Sequence, residues 1–406
     1  MAVRDTDYYQ NASTGVPDWL VDSFAGSLVR LFPAGACPLF GLTGMMGKTY
    51  AKAIEHGYFS KTMVFPSISI SNLGGYNSAA TTFTVDSTES IVAGDLLRFQ
   101  STGEVVRVAS VASGTSVVVV RANGQVAAAA IANDANAYYI GNSFEQASNK
   151  PTARGIKPAR IVNNTQIHRN GWVLSRTLAA VKNVIGLDEV AENKMDAAHF
   201  HGQSIENMII FGQKSAGFLN GQYISTADGI VERVRRDAPA ANTSVASSTT
   251  NYTQLQAMLN PCFDTMSTGQ GSGNKRFLFV GGHALTVIND IGRLSGQYQI
   301  VDGQSVFGLQ FQTFRTSRGM FSLMEHPMLN TNAEWQRMAI AVDLSVLKVA
   351  PLEGRDTFHE QYGSNGQVAG NVQDAVGGVY TTECTIELTN PSACAVIYNL
   401  TAGAAG

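Results

Sequence analysis

Apolar and polar positions along this chain follow two periods, and the change from one to the other divides it. From Thr82 to Ile140 short β-patterned runs recur at near-regular spacing: Phe83–Val85, Asp95–Phe99, Glu104–Val111, Thr115–Arg121 and Ala137–Ile140. Gly94, Thr102-Gly103, Ser113-Gly114 and Asn123-Gly124 punctuate them as turns. Strands packed so densely predict a small barrel or sandwich. Further on, Met195, Ala198, Gly202, Ile205, Ile209, Gly212 and Ala216 step by three and four, the spacing of one buried helical stripe. This predicts a helix over Leu187–Leu219, about 50 Å long at ~1.5 Å per residue.

The remaining pattern is mixed. Residues 1–60 combine acids, aromatics, Gly and Pro with a helical patch at Trp19–Leu31, and read as an arm that must lean on something. Met63–Ile70 is a strand candidate. Phe144–Asn183 has extended character, with a strand at Gly171–Leu178. After a Ser/Thr/Asn-rich loop, Asn242–Thr250, helices are predicted at Tyr252–Met266 and Gly282–Leu294, with the Gly-rich loop Thr268–Gly273 between them. Strands follow at Val306–Phe314, Met320–Leu323 and Met338–Val349, which makes an α+β unit. A final hairpin is expected from Val379–Leu388 and Ala393–Leu400, turned by Asn390-Pro391-Ser392.

Composition sharpens this outline. At 406 residues the chain exceeds the ~250–300 at which one core stops growing, so two or three packed units are expected. Charged residues are 15% and hydrophobic ones 44%, against a usual ~25% charged. Contact surface in place of polar surface explains the deficit; so does a β-rich exterior of Ser, Thr and Asn with 40 Gly. The net charge of −3 argues against one dominant basic face for nucleic acid. Four scattered cysteines without a Cys-x-x-Cys argue against a disulfide framework or a zinc site, and point to a reducing compartment. The first ten residues carry acids where an export signal needs a basic start, and no run of ~18 apolar residues predicts a membrane span.

Catalytic chemistry is almost present but incomplete. Gly41-Leu-Thr-Gly-Met-Met-Gly-Lys-Thr49 resembles a phosphate-binding loop, yet its glycine spacing is wrong and Pro33 and Pro38 interrupt the strand that should precede it. A flexible elbow is the simpler reading. His199 and His201 lie about 200° apart around a helix and cannot share one metal from one face. No Gly-x-Ser-x-Gly elbow or assignable carboxylate pair exists, so no catalytic, cofactor or metal residue is assigned. Val231–Arg236 is the densest basic run and reads as a solvated strand face.

Several segments in a fixed order resemble a known family. They are Gly94-Asp-Leu-Leu-Arg98 with Gly103-Glu-Val-Val-Arg-Val108, Gly141-Asn-Ser-Phe-Glu145, and Asn164-Thr-Gln-Ile167 leading to Ser175-Arg-Thr177. Glu383-Cys-Thr-Ile-Glu-Leu-Thr-Asn390 and Ala395-Val-Ile-Tyr-Asn-Leu400 complete the set. The chain resembles major capsid proteins of tailed bacteriophages with the Hong Kong 97-like fold, in the subgroup with a β-domain inserted in the extended loop. That resemblance implies an N-terminal arm (1–60), an extended loop (61–80 and 141–183), an inserted β-domain (81–140), a peripheral domain with a long spine helix (184–250 and 351–406) and an axial domain (251–350). It implies a non-enzymatic shell protein without cofactors, made in the host cytoplasm. In the virion it would form hexamers and pentamers around double-stranded DNA, touching that DNA weakly and meeting portal, scaffold and decoration or minor capsid proteins, with no membrane. A tail tube or decoration protein, a secreted β-rich binding module and a nucleotide hydrolase are the competing readings.

Charge suggests how subunits would meet. Between Glu145 and Lys182 there are seven basic residues and one acid, a balance of +6, while Asp188, Glu189, Glu192, Asp196 and Glu206 stand against Lys194 alone. The expectation is that Arg154, Lys157, Arg160 and Arg169 of one subunit pair with Asp188, Glu189, Glu192 and Asp196, or with the acidic arm, of the next. Rim pairs of this kind set register and on-rate more than affinity.

Overall fold

The strand Ala375–Leu388 supports most of the first of two units, because it is long, β-branched and buried on both faces. In the computed structural model, which describes residues 42–61, 65–181, 188–265, 273–294, 305–306, 309–310, 312–362 and 374–403, this strand serves three partners. One edge pairs antiparallel with Gln166–Ser175, from Ser175 opposite Ala375 to Gln166 opposite Cys384. Its other edge takes Phe358–Tyr362 and then Leu347–Pro351. Gly47–Lys48 adds a short parallel strand beyond Leu347–Pro351.

A second sheet of the same unit runs in the order Thr243–Val245, Ala395–Tyr398, Ala339–Val342, Lys275–Val280, Met320–Glu325, Gln312–Arg315. Alternation sorts its side chains. Leu278, Val280, Ala339, Ala341 and Ile397 face helices Tyr252–Leu259 and Gly282–Leu294 through Leu255, Leu259, Val287, Ile288 and Ile291. Phe279, Ile340, Val342 and Val396 face the opposite way, into a core shared with Met208, Ile209 and Ile210 of the long helix and with Ile386 and Leu388. Arg276 is fully buried in this sheet; it pairs with Asp343 at 3.1 Å and lies 5.1 Å over the Phe263 ring.

The second unit, Phe59–Arg160, is a six-stranded barrel. Its strand order is Ser67–Ser69, Asn136–Asn142, Asp95–Phe99, Val105–Ser113, Ser116–Val120, Thr82–Thr84, and the bridge between Ile70 and Val85 joins last to first. Ile68, Phe83, Leu97, Phe99, Val106, Val108, Val117 and Val119 fill the interior. Buried Glu104 takes both ends of the Arg121 guanidinium at 2.7 Å, and Arg121 also donates to Asn77, Ala80 and Ala129 carbonyls. That one residue therefore pins two loops to the barrel. Gly94 has φ +94, and a Cβ there would sit 2.5 Å from the Phe144 ring, so only glycine fits under that side chain.

Several expectations are corrected. The long helix spans Glu189–Phe211 and stops at Gly212, where a Cβ would meet the Met208 and Ala227 carbonyls at 2.5 Å. Beyond it stands a hairpin, Ser215–Leu219 with Gln222–Thr226, turned by Asn220-Gly221 with both residues at positive φ. The C-terminal strands do not form a hairpin: Pro391–Ala393 makes a 3-10 turn that carries Ala395–Tyr398 into the other sheet. Val231–Arg236 lies on the helix Ile230–Asp237 rather than a strand, because Ile230, Arg233 and Val234 must face the core together. The phosphate-loop lookalike is a helical turn, Leu42–Met45, followed by Gly47–Lys48 in a sheet, so its backbone forms no anion cradle. Pro261 ends the helix predicted over Tyr252–Met266 at Leu259. The patch Trp19–Leu31, the loop at 268–272 and the start of the helix at Leu187 lie outside the described residues.

Candidate assembly surfaces

Where a chain leaves a unit and returns to it, the crossing must be tied down. Glu55–Ser60 and Ala159–Asn164 pair as a two-stranded ribbon. At its root the His56 ring meets Glu387 at 2.8 Å, the Tyr58 hydroxyl donates to the Leu388 carbonyl, and Arg233 donates to that hydroxyl at 2.9 Å. Burial pushes the Tyr58 hydroxyl up, with the Arg233 charge opposing. Asn163 reaches the Asp228 and Ile386 carbonyls and accepts from the Asp228 amide. Asp228 in turn accepts from the Lys214 amide and pairs with Arg236 at 2.8 Å. None of these tertiary contacts was legible in the chain; only the alternation His56, Tyr58 hinted at a buried face.

The long helix is seated on the sheet by polar groups. His201 bridges Asn170 at 3.0 Å and Thr382 at 2.7 Å, and His168 meets Ser204 at 3.0 Å. Burial drives the His168 ring down to about 4, with His201 nearby adding to the shift. His326, both ring nitrogens unpartnered beside Phe279, is likewise driven by burial to about 4. Glu206 is fully buried on this helix, and burial pushes its carboxyl up to about 8. The Leu42 amide pulls weakly the other way but makes no hydrogen bond of ordinary geometry with it. Among the described residues no cluster of three or more His, Cys, Asp or Glu could hold a metal, and no helix is long and apolar enough to cross a membrane.

The residues expected at a subunit interface fall into three groups. Arg154 is engaged within its own chain: it pairs with buried Asp95 and lies 5.1 Å over the Tyr139 ring. This ties the extended stretch after Phe144 to the barrel and gives the Arg154 charge a partner within its own chain. Lys157 and Arg160 are exposed on that stretch, and Arg169 is exposed on the sheet face opposite His168. Asp188 caps the long helix through the Val190 amide, while Glu189, Glu192 and Asp196 stand half-buried to exposed along its first two turns. Glu206, neutral at pH 7, drops out of the acidic count.

Apolar side chains are exposed in places where a lone subunit gains nothing from them. Ile167 and Val173 project beside Arg169, and the Phe218 and Tyr223 rings of the hairpin form a cross-strand pair, centroids 5.9 Å apart. A cavity of about 480 Å³ opens beside Phe211, Val231, Trp335, Met338 and Tyr398. A family model described as SU10 major capsid protein matches residues 5–401. The chain belongs to that family. The major capsid protein of Pseudomonas phage PaMx41 is 34% identical over 389 residues, covering 93% of this chain and 92% of the relative. A solved chain of Mycobacterium phage Ogopogo superposes with a TM-score of 0.50 at 10% identity, covering 99% of this chain and all of that one, a likeness of fold alone. A chain from the capsid of cyanophage P-SCSP1u gives 0.49 at 11% identity over 97% and 95%. The fold is Hong Kong 97-like, and this is the major capsid protein of a tailed phage. Its family is one of structural shell proteins; self-association and a place in the virion follow from that.

Proposed function

We propose that this capsid protein closes into hexamers and pentamers of an icosahedral shell around double-stranded DNA, after synthesis in the host cytoplasm. The observation that carries the proposal is the match to a capsid family over residues 5–401, and the exposed apolar side chains support it. Portal, scaffold and decoration or minor capsid proteins are the partners such a shell takes, and the interior meets DNA through weak, non-specific contacts. In this reading the barrel within Phe59–Arg160 is a domain mounted on an extended loop, and the chain has no catalytic role. Lys157, Arg160 and Arg169 of one subunit meet Asp188, Glu189, Glu192 and Asp196 of the next, with Asp188 also acting as a helix cap.

Negative-stain microscopy of the expressed protein tests the reading: shells are expected, and monodisperse monomers at high concentration overturn it. For the charge pairing, Lys157→Glu with Arg169→Glu should lower shell yield most at low salt, since salt screens exposed pairs. Normal particles from that variant at low salt would refute the pairing and leave the shell reading intact.

A further inference from the structure

The hairpin Ser215–Leu219/Gln222–Thr226 puts aromatic side chains into solvent on a rigid support. Phe218 and Tyr223 face each other across the strands, so both rings project from one side; Phe218 is 78% exposed and Tyr223 45%. Leu219 and Ile224 expose apolar surface on the other side. The Asn220-Gly221 turn, with φ of 50° and 75°, is of the tight kind that matches strand twist, so the pair is held rather than trailing. Such a projection costs hydration unless something covers it.

The same unit carries a matching recess. The cavity of about 480 Å³ has the stacked Phe211 and Trp335 rings, 4.3 Å apart, on one wall, with Val231, Met338 and Tyr398 around them and Glu334 and Arg337 among its polar lining. A dry cavity of roughly 150 Å³ takes one benzene, so this one, at about 480 Å³, has room for two aromatic side chains. Phe218 and Tyr223 do not line it in their own chain. Resting on the capsid reading, we propose that the Phe218/Tyr223 pair of one copy seats in the Phe211–Trp335–Tyr398 recess of the next. Knob and hole are different surfaces, so the contact is head-to-tail and propagates around a ring instead of closing a two-fold dimer.

Size and polarity both favour a second copy. Aromatic side chains bury ~150–250 Å² each, so the two rings at their observed exposure supply on the order of 250 Å². That is about a third of the ~800 Å² per partner of a stable interface, supplied by the aromatic residue types in which binding energy concentrates. The knob brings no charge, and Glu334 and Arg337 are exposed at the recess, so their charges can stay in water while the apolar rings seat.

Chains carrying only Phe218→Cys and chains carrying only Glu334→Cys are co-assembled and treated with a short bismaleimide. Glu334 lines the recess, is exposed and makes no side-chain cap, so its replacement is mild. Cross-linked dimer is expected from the mixture and from neither parent alone. Shells that form without that dimer overturn the proposal and leave the capsid reading standing; cross-linking by Phe218→Cys alone, which means a two-fold contact, also overturns it. Val231→Trp, which fills the hole and leaves the knob intact, supplies a second measurement. Shell yield should fall at least tenfold with unchanged subunit circular dichroism, whereas wild-type yield from a folded Val231→Trp subunit refutes the fit.

Discussion

Glu206→Gln should stabilise the dissociated subunit at neutral pH and flatten its alkaline pH profile. The carboxyl is buried on the long helix among Leu42, Met208 and Ile209, and burial raises it from 4.5 to about 8. Between those values the folded chain holds a proton that the unfolded chain has released, so stability is complete below pH 4.5 and is lost as pH rises through 8. At pH 7 the loss is about 2.5 pH units at ~1.4 kcal/mol each, on the order of 3 kcal/mol. Gln keeps the shape and leaves comparable polar atoms unpaired, so its gain is chiefly this proton-linked loss. Urea unfolding of wild type and variant from pH 5 to 8 gives the test: wild type should lose roughly 3 kcal/mol across the range relative to the variant. Parallel profiles would show that Glu206 is ionised and solvated, and would refute the reasoning.

The acid side should be governed by histidine. His326→Leu should remove part of the acid lability, since a ring held near 4 costs stability progressively as pH falls from 6.5 toward 4, by about 3 kcal/mol. An unchanged acid-unfolding midpoint would count against it. Arg276→Met strands the buried Asp343 carboxylate and should cost ~3–5 kcal/mol, while adding Asp343→Asn should recover much of that in a double-mutant cycle. Gly94→Ala forces a side chain to φ +94 against Phe144 and should cost ~1–3 kcal/mol, read as faster amide exchange in Asp95–Phe99; Phe144→Ala in addition should relieve the steric part.

Local signals told the truth where the chain folds locally. Asp95–Phe99 and Gly282–Leu294 have in the structure the bounds their periodicity predicts, and the other barrel strands agree within a few residues. Failures came where two distant segments decide one outcome. Ala393–Leu400 reads as the return of a hairpin, but a place beside Ala339–Val342 wins over its neighbour in sequence. The helical stripe runs past Phe211 through Gly212 and Ala216, although Asn220-Gly221 was a hairpin signal in plain view. A charge pattern also carries no information about the buried Asp95 that Arg154 meets or the apolar core around the Glu206 carboxyl.

The fourteen-residue strand Ala375–Leu388 also sets the order in which a subunit can come into being. The barrel draws on a continuous stretch, Phe59–Arg160, so its contacts are all present once that stretch has left the ribosome. Gln166–Ser175 instead waits for a partner more than 190 residues later: at ~5–20 residues per second its edge stays open for roughly 10–40 s. An unfinished chain therefore lacks the Thr382 end of the seat for its long helix and the root of its ribbon at Glu387 and Leu388. A chain that stops short of this strand is unfinished at its centre as well as at its end.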